Sequence, residues 1–137
     1  MHLICFQGLF WSEEMNLEKL TKTIGKKYQE TDENGNYIGC FEPMYMLYPD
    51  IPRFQFLQNV DYFSHSLEKI KETLKEIRKE EIKEGDIIVF KMPRKVLHIA
   101  VYIGNGKIIQ TFKNSSMQIN KVNLDSKRII GVYRWDF

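Results

Sequence analysis

His98-Ile99-Ala100-Val101-Tyr102-Ile103 and Lys107-Ile108-Ile109-Gln110-Thr111-Phe112 are two alternating runs separated by Gly104-Asn105-Gly106. A period of two sends successive side chains to opposite faces, which marks each run as a β-strand. A glycine-flanked Asn-Gly marks the hairpin turn between them. Loop length then decides which side chains meet. With a two-residue loop, Gly104 pairs with Lys107 and Val101 with Gln110, and Gln110 lies on the face opposite His98. With a three-residue loop closed by a left-handed Gly106 in a bulge, Ile103 pairs with Lys107 and Ala100 with Gln110. His98 and Gln110 then share a face as diagonal neighbours, with the small Ala100 leaving space around them. The three-residue loop is the predicted one, since it gives the strand histidine a polar partner.

Working outward, Gly85-Asp86 punctuates the chain and Ile87-Ile88-Val89-Phe90-Lys91-Met92 follows as a short buried strand. Before it, Ser66 to Glu84 carries Leu67, Ile70, Leu74 and Ile77 as an apolar stripe, with Glu68/Lys71, Glu72/Lys75 and Glu76/Lys79 as opposite charges three apart. This pattern predicts a helix over 66–84 with a solvated charged face. Nearer the start, Asn16 is a good N-cap for Leu17, Leu20 and Ile24, and Gly25 is a stop. After the hairpin, Met117 to Ile119, Val122 to Leu124 and Arg128 to Trp135 supply two or three more strands. Helices first and strands after indicate an α+β domain, N-terminal helices packed on a C-terminal antiparallel sheet. Residues 15–137 are expected to form one domain, and residues 1–14 an arm or the product of a mis-assigned start.

The chain has 137 residues, 43% of them apolar, enough for one substantial core. Twenty Lys plus Arg against eighteen Asp plus Glu give a net charge of +2, too balanced to point to nucleic acid. The aromatics Phe41, Tyr45, Tyr48, Phe54 and Phe56 come without a basic cluster, so they read as core and groove lining rather than as a platform for bases. No run reaches the roughly 18 apolar residues of a membrane span. Met1 to Trp11 lacks a basic leader and a small-residue cleavage site, so no secretion signal is expected, and the location is cytoplasmic or phage-associated. Cys5 and Cys40 have no metal-ligand spacing with His2, His65 or His98, so neither a metal nor another cofactor is expected. His65 reads as a helix-start surface residue and Cys5 as a residue without a role.

Glu84-Gly85-Asp86-Ile87-Ile88-Val89-Phe90 followed by His98 to Gln110 resembles the NlpC-type (NlpC/p-sixty) papain-like cysteine peptidases, over roughly Lys27 to Trp135. Ile51-Pro52-Arg53 resembles a loop of the same family. The resemblance implies that His98 is the catalytic base, that Gln110 orients it, and that Cys40, 58 residues before His98, is the nucleophile at a helix N-terminus. It departs from the family at the cysteine. The family usually has an aspartate before it and Ser-Gly after it, whereas this chain reads Ile38-Gly39-Cys40-Phe41-Glu42-Pro43. Because the residue before a proline avoids the helical region, Glu42 is the predicted N-cap, leaving Cys40 just outside the helix with a carboxylate nearby that opposes a thiolate.

The implied chemistry is cleavage of a peptide or amide bond through a Cys40 thioester. His98 moves the proton and the Cys40 backbone N–H faces the oxyanion. The implied substrate is a short peptidoglycan stem peptide in a phage tail or lysis setting. Tyr37, Lys91, Arg94 and Lys95 are candidate substrate contacts, the three cations lying in the loop before His98. Against this stands a catalytically silent binding or assembly module of the same fold. Permuted acyltransferases of related fold have their cysteine after the histidine, and none follows His98 here.

Overall fold

The computed structural model describes residues 17–55 and 61–136. The Asn16 cap, Cys5 and the segment 1–14 lie outside the described residues. Residues 17–21 are helical, Leu20 is buried, and the following turn ends at Gly25 with φ 95°. A 3-10 turn, Gly39–Phe41, runs directly into helix α1, Glu42–Leu47, and helix α2 spans Tyr62–Thr73. Six strands follow: β1 Lys75–Ile77, β2 Ile87–Met92, β3 Val96–Gly104, β4 Lys107–Gln110, β5 Gln118–Lys121 and β6 Ile129–Arg134. They form one sheet in the order β1-β6-β2-β3-β4-β5, antiparallel throughout. This is the α+β arrangement, helices against an antiparallel sheet, that the element order implied.

The helix expected over 66–84 is instead four residues early and ten or more shorter at its end. It starts at Tyr62 because the Asp61 side chain accepts the Phe63 backbone N–H at 3.2 Å, an N-cap. It stops at Thr73 because Leu74 turns extended (φ −113°, ψ 157°) and Lys75-Glu76-Ile77 pair with Arg134-Tyr133-Val132 of β6. A sheet edge offers three residues a backbone ladder, and that outweighs a helical preference of a few tenths of a kcal/mol per residue. Val122 to Leu124, read as a strand, is instead irregular chain whose Val122 and Leu124 pack on the sheet.

The sheet is buried on both faces at its centre. One face presents Ile87, Val89, Leu97, Ile99 and Val101 to Phe41, Met44, Phe63 and Ile70 of the helical layer. The other presents Ile88, Phe90, Ala100 and Tyr102, with Ile129 of β6 beside them, to Ile82, Val122 and Leu124. Two buried faces explain why β2 opens as a continuous apolar run rather than an alternating one. Asp86, just before β2, is buried and takes both Arg134 Nε and Nη2 at 2.8 Å, plus the Lys83 backbone N–H at 2.8 Å. This fork fastens the entry of β2 to the end of β6.

The hairpin differs from the three-residue loop in detail while keeping its register. Asn105 and Gly106 both have positive φ (54° and 68°), a two-residue turn of the primed kind, and Gly104 pairs with Lys107. The extra residue sits one step earlier, as a bulge between Tyr102 and Gly104, with Gly104 at φ 92°. Beyond it Tyr102 opposes Ile108 and Val101 opposes Ile109, so the next step sets Ala100 beside Gln110. Gly104 is needed twice over, since a Cβ there would also come within 2.9 Å of Glu84 Oε1.

Candidate active site

His98 lies where β4 ends and the loop after it departs, on the face of β3 that also carries Ala100 and Tyr102. Its Nε2 is 2.9 Å from Gln110 Oε1. Gln110 Nε2 donates in turn to Asn120 Oδ1 on β5 at 2.9 Å. That second bond fixes which end of the amide faces the ring. An amide oxygen only accepts, so His98 Nε2 carries the hydrogen and Nδ1 is left as the basic nitrogen. Phe112 stacks on the imidazole (centroids 4.4 Å apart, planes at 11°), and Phe90, directly across the β2–β3 ladder, lies 5.8 Å away. Burial between these rings pulls the His98 pKa below its ordinary value, against the opposing pull of the Gln110 hydrogen bond.

Cys40 sits in the 3-10 turn that leads into α1, its Sγ 4.0 Å from the carbonyl oxygen of Leu97, the residue before His98. Burial pushes its thiol up to about 11, although the backbone N–H groups of Ile99 and of Cys40 itself partly counter this. The resting site therefore holds a neutral thiol and a neutral imidazole at pH 7, not the ion pair that an exposed helix N-terminus would favour. The charge expected from Glu42 is also placed differently. Glu42 is the first residue of α1 with helical dihedrals (φ −53°, ψ −47°), not its cap, because the preceding 3-10 turn already sets the helical direction. Its carboxylate turns to Lys26 Nζ at 2.6 Å.

Three tyrosines crowd the cysteine turn. Tyr37 Oη is 3.0 Å from Tyr62 Oη, and the two rings meet edge to face at 5.8 Å. Burial raises the phenol pKa of Tyr37, Tyr62 and Tyr28, with the Cys40 sulfur adding to each. Gly39 (φ 45°) is where the family usually has an aspartate, and a Cβ there would overlap the Tyr37 hydroxyl and come within 2.9 Å of the Tyr28 hydroxyl. Of the expected substrate contacts, Tyr37 thus lies beside Cys40. Lys95 is paired with Asp61 at 2.8 Å, Arg94 is exposed on the β2–β3 turn, and Lys91 and Lys95 both approach the Phe63 ring, at 5.7 and 5.8 Å.

Phe112, Asn120, Tyr28 and Tyr62 escaped the sequence reading. Phe112 had a signal, since it follows Gln110 by the same period of two that joined Gln110 to His98. Asn120 had none until the register Ile108↔Asn120 was known.

Iodoacetamide alkylation of Cys40, measured with Cys5→Ala as background, is expected to titrate near pH 11 rather than near the ~8.5 of an open thiol. A midpoint at or below ~8.5 would contradict the buried neutral thiol. The same shift sets a sign for stability. The unfolded thiol ionises first, so the Cys40 contribution is whole below ~8.5 and is lost as pH rises toward 11. For His98 the order reverses: its contribution is whole above ~6.5 and fades as pH falls through the lowered folded value.

The chain's sequence matches the NlpC/P60 family over residues 25–134. Among solved structures it is similar to the peptidoglycan hydrolase RipB of Mycobacterium tuberculosis, with 18% identity, a TM-score of 0.61, and coverage of 90% of this chain and 64% of that one. It is similar to an NlpC/P60 family protein of Bacillus cereus, with 21% identity, a TM-score of 0.61, and coverage of 90% and 40%. A third is RipD of Mycobacterium tuberculosis, described as a non-catalytic NlpC/p60 domain protein adapted to peptidoglycan binding, with 12% identity, a TM-score of 0.58, and coverage of 90% and 96%. The chain thus spans less than two thirds of the RipB and Bacillus cereus chains. No curated protein sequence matches it significantly. No helix among the described residues is long and apolar enough to cross a membrane, and no cluster of three or more His, Cys, Asp or Glu among them could hold a metal. A histidine-led hairpin, an upstream cysteine turn against the same strand, and a family match over 110 of 137 positions (25 to 134) agree: this chain belongs to the NlpC/P60 family.

Proposed function

We propose that the protein hydrolyses a peptide or amide bond in peptidoglycan stem peptides, with Cys40 as nucleophile, His98 as base and Gln110 as the residue that orients it. The observation that carries this reading is the His98–Gln110–Asn120 chain, which holds the Nε2 proton in place and leaves Nδ1 for the reaction. Cys40 and His98 make no hydrogen bond with each other in the resting structure, so the thiol first turns from Leu97 O toward His98 Nδ1; its proton then passes there as sulfur bonds to the carbonyl carbon and the carbonyl electron pair moves to oxygen. The Cys40 backbone N–H faces that oxygen. The C–N bond then breaks as the leaving nitrogen takes the proton from His98 Nδ1; water, deprotonated by that imidazole nitrogen, bonds to the thioester carbon, the C–S bond breaks, the acid leaves, and the proton returns to the Cys40 sulfur. Gln110 is uncharged, so it favours the protonated ring only through its hydrogen bond, without the added attraction of a carboxylate. Lys91, which lies within β2 rather than in the loop expected for it, and Arg94, on the β2–β3 turn, are the cations that remain for a substrate carboxylate, since Lys95 already faces Asp61. A phage tail or lysis role is the setting we favour for such an activity.

The test is digestion of purified peptidoglycan followed by mass spectrometry of the released fragments for a newly exposed amine. Asn120→Ala is expected to slow release about 5- to 10-fold, the loss of one partly buried hydrogen bond, because the Gln110 amide can then flip. Gln110→Glu is expected to move the acid limb of the rate profile to higher pH, as a carboxylate beside His98 raises its pKa. A profile unchanged by Gln110→Glu would remove Gln110 as orienter. The buried, neutral Cys40 thiol favours a second reading, a silent module that retains wall peptides. It predicts co-sedimentation with insoluble peptidoglycan and no new amine.

A further inference from the structure

His98 is held at one edge by Gln110 and on one face by Phe112. The Phe112 ring lies flat on the imidazole, centroids 4.4 Å apart and planes at 11°. Phe90 is 5.8 Å away, centroid to centroid, and tilted by 40°, so it walls the ring without lying flat on it. Amid these contacts His98 is only 6% exposed, while Phe112 is half-buried. The chain on either side explains how Phe112 comes to be there. Beyond Gln110 the strand alternation continues: Thr111 is fully buried, and Phe112 returns to the side of Gln110 and His98. The Phe112 carbonyl then accepts the Ser115 N–H at 3.0 Å, closing a turn. That turn is tied to the segment 25–28 by the Tyr28 N–H to Ser115 O at 3.0 Å and the Met117 N–H to Lys26 O at 2.7 Å. Hydrogen-bonded backbone on both sides therefore places the aromatic ring.

We propose that Phe112 is a positioning residue for His98, clamping the imidazole in the plane in which Nε2 meets Gln110 and keeping water off its face; this rests on the reading of His98 as the base. Gln110 grips the ring by one bond at one edge, which does not fix the plane of the ring. A flat contact on the face does. Excluding water from that face also bears on charge, because an imidazolium there loses hydration. The attraction of the Phe112 ring for a cation works the other way, but for a ring so enclosed it is the smaller effect. Among the described residues no charged side chain shifts the balance: Gln110 from β4 favours the protonated ring by its hydrogen bond, Phe90 from β2 is apolar, and the Cys40 thiol in the 3-10 turn is neutral. The imidazole thus remains able to accept the thiol proton further into acid than an open histidine does.

NMR titration of the His98 ring nitrogens in the whole protein, assigned against His98→Gln, tests it in the wild type, Phe112→Ala, Phe112→Thr and Phe112→Tyr. The wild type is expected as the Nε2–H tautomer, with a midpoint below the ~6.5 of an open imidazole. Phe112→Ala and Phe112→Thr are expected to bring the midpoint up to ~6.5 or above and to mix the tautomers. Phe112→Tyr, which keeps a flat ring there, is expected to restore the wild-type values. On peptidoglycan, Phe112→Ala is expected to release fragments about tenfold more slowly at a pH about one below that midpoint than at its own plateau, a steeper fall than the wild type shows. Phe112 is half-buried and follows a strand, so threonine, a good strand residue, keeps the test open if alanine does not fold. The NMR readout needs no turnover. A wild type that releases nothing overturns the hydrolase reading, whereas the titration alone decides the role of Phe112. An unshifted midpoint and tautomer in a cooperatively melting Phe112→Ala or Phe112→Thr, or a Phe112→Tyr that behaves as they do, overturns this proposal.

Discussion

Cys40→Ala is expected to abolish release of peptidoglycan fragments, by about 10⁴-fold or more, while leaving the protein folded. The size of the effect follows from the role: without the sulfur no thioester forms, and His98 and Gln110 have no proton to move. The sparing of the fold follows from the charge state. The thiol is neutral and buried, so its removal strips no ion from a partner and leaves a small void, worth about 1 kcal/mol. Circular dichroism on the variant and mass spectrometry of its digests are read together. Turnover that survives in folded Cys40→Ala would assign the nucleophile elsewhere. Wild-type protein that binds wall material as tightly as Cys40→Ala, with neither producing an amine, would favour the silent module.

The largest loss of stability is expected from Asp86→Ala, about 3 kcal/mol, or a fall in melting temperature on the order of 10 °C. The mutation leaves Arg134 facing an emptied, buried site and the Lys83 N–H without its acceptor, where both had been held at 2.8 Å. The double variant Asp86→Ala/Arg134→Met is expected to be milder than Asp86→Ala, because an absent pair costs less than a broken one. Urea titrations of the wild type, Asp86→Ala, Arg134→Met and the double variant give the comparison directly. Additive losses would mean that the fork contributes no coupling.

How much of this was legible in the sequence depends on how local the cause is. The hairpin was readable because alternation and turn chemistry act over a few residues. Its register survived an error in the turn type because a bulge at Gly104 restores the missing residue. The end of α2 was not readable, because Leu74 leaves the helix to meet β6, a strand more than fifty residues downstream. The helical dihedrals of Glu42 before a proline were hidden for a similar reason: the 3-10 turn that sets them depends on Gly39. Cys40 and His98 could be named from motif spacing. Their neutral resting state could not, since it arises from aromatic and aliphatic burial assembled by the whole fold.

The tight fit of Tyr37 and Tyr28 around Gly39 also decides what position 39 can accept. The single change Gly39→Asp would not be accommodated, because the hydroxyl of Tyr37 already fills the volume into which the new side chain must grow. The positive φ at Gly39 opposes it as well. Positions 39 and 37 are therefore coupled in this chain. A side chain at position 39 needs a smaller residue at position 37 to make room for it.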